Sequence, residues 1–327
     1  MLRLFHSIFG NEPGADHYPE TLVQEAIERA VDGTDPWLRG LSGYRRKLRP
    51  AVVHALDHVV ALVDHLDEPD ELSRQNYGSD PYLRLFFISF GQLDTLLRGD
   101  PALTALRNKA GASATAWALL VMACEQRGGF GVDLLGETIV RDVAQVTVSM
   151  AGHRLLDPTG DLAETRRLLK RRAFDHLLSL ALRRITAVED IREDLLQRRT
   201  LLQAKHDMLE GSSWGFNESG RETPPIDEVH RQLDDIEAQL LDFGGDDRYI
   251  EKHLEIVTDV LANAERELWV QPLSLIVDRM GIKRQVATAD APELTLTELH
   301  NAAGQRLIAR LVRIPPSVAG TVQGANL

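Results

Sequence analysis

The sequence predicts a mainly α protein: a helical N-terminal domain and a long antiparallel helical hairpin, a coiled-coil arm, projecting from a small antiparallel β-sheet base. Three observations carry this. No proline or glycine interrupts residues 161–210, so one helix of about 75 Å fits there at ~1.5 Å per residue. Apolar residues recur at heptad spacing on both sides of a polar loop. Short stretches of strand character bracket the pair. The boundaries that follow are a helical domain 1–136, a β base from 137–160 and 271–314, an arm 161–270 with a tip loop at 211–222, and a flexible tail 315–327.

Composition narrows the classes. The 327 residues carry a net charge of -12, and 43% apolar with 26% charged residues describes a globular chain rather than a disordered one. A single cysteine excludes a disulfide framework and a cysteine zinc cluster. Net acidity disfavours nucleic acid and anionic membrane as partners. No apolar run approaches the roughly 20 residues that span a bilayer, and the cytoplasm is the default location.

The elements follow in order. Leu2, Leu4, Phe5, Ile8 and Phe9 form a short amphipathic segment, read as a terminal helix against its own core or a partner. Pro19 opens a helix with Leu22, Ala26, Ile27 and Ala30 inward, closing at Asp32-Gly33. Pro50 opens the next, with Val52, Leu56, Val59 and Val63 on one face. Asp80-Pro81 and Asp100-Pro101 each read as a cap and first turn. The first leads Leu83, Phe86, Phe87, Phe90, Leu93 and Leu97; the second leads a helix from Leu103 through Trp117 and Val121 to Cys124. Thr138, Val140, Val143, Val146 and Val148 mark one or two strands before Asp157-Pro158.

In the arm, Phe174, Ala181, Val188, Leu195, Leu202 and Leu209 repeat every seven residues, while Ile226, Val229, Leu233, Ile236 and Leu240 begin the return. Gly244-Gly245 interrupts that return as a hinge or a plain helix junction, and it resumes until Pro272. Residues 161–210 carry a charge of +2 and residues 223–270 a charge of -9, which favours pairing the two with each other. Beyond the arm, Leu294, Leu296 and Leu299, a turn at Asn301–Gly304, and Leu307 to Val312 read as a hairpin.

Four constellations are candidates for chemistry or recognition. Trp214 and Phe216 sit in the Gly/Ser-rich tip, where exposed aromatics suit recognition of a protein partner and where folding back over the hairpin end is the equal alternative. Arg166, Arg167, Lys170, Arg171 and Arg172 form a basic patch, read either as pairing with acids near Glu265 and Glu267 or as phosphate binding. His54, His58 and His65 lie along one helix line, weak metal ligands beside a solvated-face reading, and no metal is assigned. Ser149, His153 and Asp157 can be assembled into a catalytic group only if geometry unites them.

The expected function is a non-enzymatic, cytoplasmic interaction or scaffold protein that presents its arm and aromatic tip to a protein partner, with no cofactor. Self-association through the arm stays open. The alternative is an enzyme or ligand sensor with its pocket among the N-terminal helices or at the β base around His153.

Overall fold

The computed structural model describes residues 18–110, 115–135, 138–211, 226–243 and 246–316. The chain forms two compact units, and passes between them at residues 55/56, 174/175 and 264/265.

The sheet unit is built from Leu56–Phe174 and from Glu265 onward. Its strands are β1 (Asp70–Glu71), β2 (Ala116–Leu135), β3 (Thr138–Thr159), β4 (Leu268–Ile276), β5 (Glu293–Asn301) and β6 (Arg306–Ile314). The order is β3-β2-β6-β5-β4, antiparallel throughout, with β1 parallel beside β6. Below the strands' far ends the chain after β4 doubles back onto β3. The Val148 amide donates to the Gly281 carbonyl at 2.7 Å, the Lys283 amide to the Val146 carbonyl at 2.8 Å, and Val277 bridges Lys283. Hydrogen bonding therefore connects β4 with β3, the two ends of the strand order. Gly281 makes this approach feasible: its φ is +79°, and a Cβ there would lie 3.0 Å from the Val148 carbonyl oxygen.

One face of the sheet is packed by short helices, α3 (Arg74–Ser79), α4 (Pro81–Phe86), α5 (Phe90–Gly99) and α6 (Pro101–Ala110). Each start is explained locally, because the side chains of Ser73, Asp80, Ser89 and Asp100 accept amide hydrogens of the first turns. Leu83, Phe86, Phe87, Leu93 and Leu103 bury against Leu120, Met122, Val148 and Met150 of the strands. The stretch from Asp80 to Leu97, expected as one helix, is two, because Ser89 caps a new start.

The helical unit is built from the segment ending at Ala55 and from Asp175–Ala264. It contains α1 (Glu20–Asp32), a 3₁₀ turn (Pro36–Gly40), the first turns of α2 (Tyr44–Asp64), most of α7 (Leu162–Gly211), α8 (Ile226–Phe243) and α9 (Asp246–Ala262). A last short helix, α10 (Ala264–Glu267), leads into β4. Leu178 of α7 lies against Gly33, and Arg29 of α1 is paired with Asp175. Arg184 meets Asp259 at 3.4 Å, Arg192 covers the Tyr249 ring at 4.8 Å, and His206 meets His230 at 4.4 Å. These pairs run in opposite chain directions, so α7 is antiparallel to α8 and α9.

The expected architecture is corrected on three points. The protein is not a mainly α arm on a small β base: it is 57% helical with 26% strand, in a sheet of six strands. The helices of 175–264 are not an isolated two-helix arm, since they share one compact unit with α1 and the 3₁₀ turn. The expected helical domain 1–136 matches neither unit, because residues 116–135 are β2, the strand at the centre of the largest ladder. Trp117 to Cys124 is an unbroken apolar run, and its Leu120, Val121 and Met122 are all buried. A run that buries both faces has no period to separate helix from strand. Pro50 does not open α2 but lies inside it, six residues after Tyr44.

Candidate functional site

Within the sheet unit, α4, β3 and the segment that closes back onto β3 enclose an open cavity of about 290 Å³. Its apolar wall comes from Leu85, Val148, Met150, Val277 and Leu294, and its polar groups from Arg84, Thr147, Ser149, Asp278, Arg279 and Asp290. Alternation on β3 places these groups. Val148 and Met150 bury inward, while Thr147 and Ser149 are on the less buried side of the same strand.

The rim is organised by Asp278. One carboxylate oxygen accepts the Met280 and Ile282 amides at 2.9 and 3.0 Å, and the other accepts from the Arg284 guanidinium at 2.8 and 2.9 Å. Its acceptor capacity is therefore taken up in holding the turn over β3. Arg279 reaches Asp290 only at 3.5 Å, with side chains 69% and 81% exposed, so that pair is loose and solvent-screened. Arg84 is different. It is half-buried on α4, and among the described residues its guanidinium has no hydrogen bond, ion pair or ring contact.

The residues singled out from sequence are distributed otherwise. Ser149 lines the cavity, but His153 turns to the Phe86 carbonyl at 2.6 Å and stacks on Phe87 at 4.8 Å. Asp157 holds Arg172 through two hydrogen bonds of 2.7 and 2.8 Å. The three therefore serve separate partners. The basic run is also engaged: Lys170 is buried against Asp64 at 3.0 Å, Arg167 pairs with Glu164, and Arg172 with Asp157. Arg166 is half-buried with an unpartnered Nε, and Arg171 has a partner of its own. His58 bonds the Leu268 carbonyl at 2.7 Å and His65 the Ala61 carbonyl at 2.6 Å, while His54 is an exposed residue with a separate contact. Among the described residues no group of three His, Cys, Asp or Glu side chains could hold a metal ion. Trp214, Phe216 and Gly244-Gly245 lie outside the described residues.

One further group was not singled out from sequence. His253 donates or accepts at 2.7 Å to Asp35, but only 1% of His253 is exposed, so the dyad ties α9 to the 3₁₀ turn rather than meeting a ligand. Burial, with a smaller effect from Glu298, pushes the Cys124 thiol up and away from the thiolate.

Burial holds the His153 imidazole below its ordinary value, against the smaller opposing effect of its bond to the Phe86 carbonyl. The folded state therefore prefers the neutral ring. In the unfolded chain the ring protonates near pH ~6.5, so this contribution to stability is complete above that pH and is lost as pH falls toward the lowered folded value. His176 is lowered too, by burial and then by Arg183. Melting profiles from pH 7.5 to 5 are expected to fall for the wild type and to flatten in His153→Gln, which keeps a donor for the carbonyl but cannot titrate. Equal slopes in the two proteins would refute this.

No helix among the described residues is long and apolar enough to cross a membrane. Comparison with known protein families, curated proteins and solved structures finds no match.

Proposed function

We propose that this is a small-molecule-binding protein whose sheet unit holds its ligand in the cavity beneath the Asp278–Gly281 turn. The observation that carries the reading is an open cavity of about 290 Å³ that combines an apolar wall with the Arg84 guanidinium, which has no partner among the described residues. That volume is at the small end of ligand sites, which run from roughly 300 Å³ upward. Binding is favoured over catalysis because among the described residues the cavity lining holds no imidazole, the His153 ring on β3 is occupied by the Phe86 carbonyl, and the one thiol is held in its neutral form. The scaffold reading of the tip rests on Trp214 and Phe216 as sequence alone, so the cavity is the firmer ground.

A thermal-shift screen of a diverse fragment set against the wild type and Ser149→Phe tests the proposal. The substitution places an aromatic ring at the cavity wall on a strand, where aromatics are well tolerated. A ligand at a hundred times its dissociation constant adds about 2.7 kcal/mol, worth several degrees. Expected are fragments that raise the wild-type midpoint and lose that effect in the variant. A set with no stabilising fragment, or with equal shifts in both proteins, overturns the reading.

A further inference from the structure

Resting on the ligand-binding reading above, we infer that the ligand is a small monocarboxylate with an apolar body, its carboxylate held by Arg84. Asp278 is saturated by Arg284 and two backbone amides. Asp290 and Arg279 answer each other loosely at the rim. Arg84 is then the lining charge left without a counter-ion among the described residues, and it is half-buried.

Each ligand class meets that guanidinium differently. A cation would be repelled by it. A neutral ligand would strip water from it without returning a counter-charge, which costs free energy. A carboxylate supplies two acceptors in the plane of the guanidinium fork, the arrangement that gives the strongest pairing. A phosphate dianion is less well matched, because the first-turn amide of α4 at Tyr82 is already taken by the Asp80 side chain at 2.8 Å. One free cation suits one negative charge.

The rest of the cavity sets the body. Leu85, Val148, Met150, Val277 and Leu294 offer aliphatic surface with no polar atom in their side chains beyond the Met150 thioether. At ~30 Å³ for a water-sized group, the cavity has room for about ten such groups.

Octanoate, with ten heavy atoms, is the probe, with octanamide and octylamine as its neutral and cationic counterparts. Titration calorimetry on the full chain at pH 7.5 is expected to show octanoate binding most tightly. Arg84→Gln should weaken octanoate by about tenfold or more while changing octanamide little, since hydrogen bonds to charged groups carry that difference. Arg84→Lys keeps the charge without the fork and should fall between. Ser149→Phe should weaken octanoate and octanamide together. Octanamide or octylamine equal to octanoate, or octanoate unaffected by Arg84→Gln, overturns the carboxylate assignment and leaves the cavity reading in place. So does failure of all three to bind while the fragment set still yields hits sensitive to Ser149→Phe.

Discussion

Phe87→Ala is expected to destabilise the sheet unit by about 3–5 kcal/mol. Phe87 is fully buried, stacks on His153 with ring planes 24° apart, and sits in the core shared by α4, α5 and the strands. Its own carbonyl accepts the Tyr77 hydroxyl at 3.1 Å, so the backbone there is fixed and cannot readily collapse into the vacated space. The cost is then the lost transfer free energy of the ring plus most of the cavity term. Against a typical ΔG of unfolding of ~5–15 kcal/mol, such a loss shifts the denaturation midpoint strongly. Guanidinium titration followed by tryptophan fluorescence measures it, because Trp117 and Trp269 both belong to this unit. The neighbouring Ile88 is 83% exposed, and Ile88→Ala should stay within about 0.5 kcal/mol of the wild type. Similar midpoints for the two variants would show that the core is not organised around Phe87.

Much of the helical structure was legible because its signals are local. Pro19 and Gly33 bracket α1, and Asp80 and Asp100 cap the helices that follow them. The absence of proline and glycine between residues 161 and 210 corresponds to a 50-residue α7. The turn Asn301–Gly304 was readable too, with Gly304 at φ +76°. The sheet was not legible to the same degree, because pairing is non-local. β2 contains Gly128, Gly129 and Gly131, residues that weaken strands, yet it pairs with β3 almost to its end. What makes it a strand is partners on both sides, β3 and β6, the second of them some 190 residues away. A propensity argument sees only the run itself.

The site shows the same division. Ser149 and His153 were noted only as members of a Ser-His-Asp grouping that the structure does not bring together, and the Asp278-Arg-Met-Gly281 turn carries a recognisable signature of a capping carboxylate and a positive-φ glycine. Nothing in the sequence distinguishes Arg84 from the other arginines. Its interest lies in a guanidinium with no partner among the described residues, where those of Arg172, Arg284 and Arg310 have theirs, and that is a property of packing.

Arg310→Met should cost about 2–4 kcal/mol, by a mechanism opposite to that of Phe87: a charge left behind instead of a cavity. Arg310 on β6 binds both oxygens of Asp70, at 2.6 and 3.1 Å, also reaches Asp67, and covers the Tyr82 ring at 5.0 Å. Its side chain is 12% exposed and that of Asp70 18%, so solvent and salt screen this pair only in part. Removing the guanidinium leaves two carboxylates close together, one of them poorly hydrated. Asp70 belongs to β1, which pairs with β6 at Val312, and just after β1 the Leu72 amide donates to the Arg313 carbonyl at 2.8 Å. Hydrogen exchange at Leu72 should therefore accelerate in Arg310→Met beyond the change in global stability. The second substitution Asp70→Asn, made on top of the first, removes the stranded charge and is expected to restore part of the loss, a coupling of about 0.5–3 kcal/mol. Simple additivity of the two would mean that the ion pair contributes through packing alone, since a Met at position 310 retains the aliphatic stem against Tyr82 while the charge is gone.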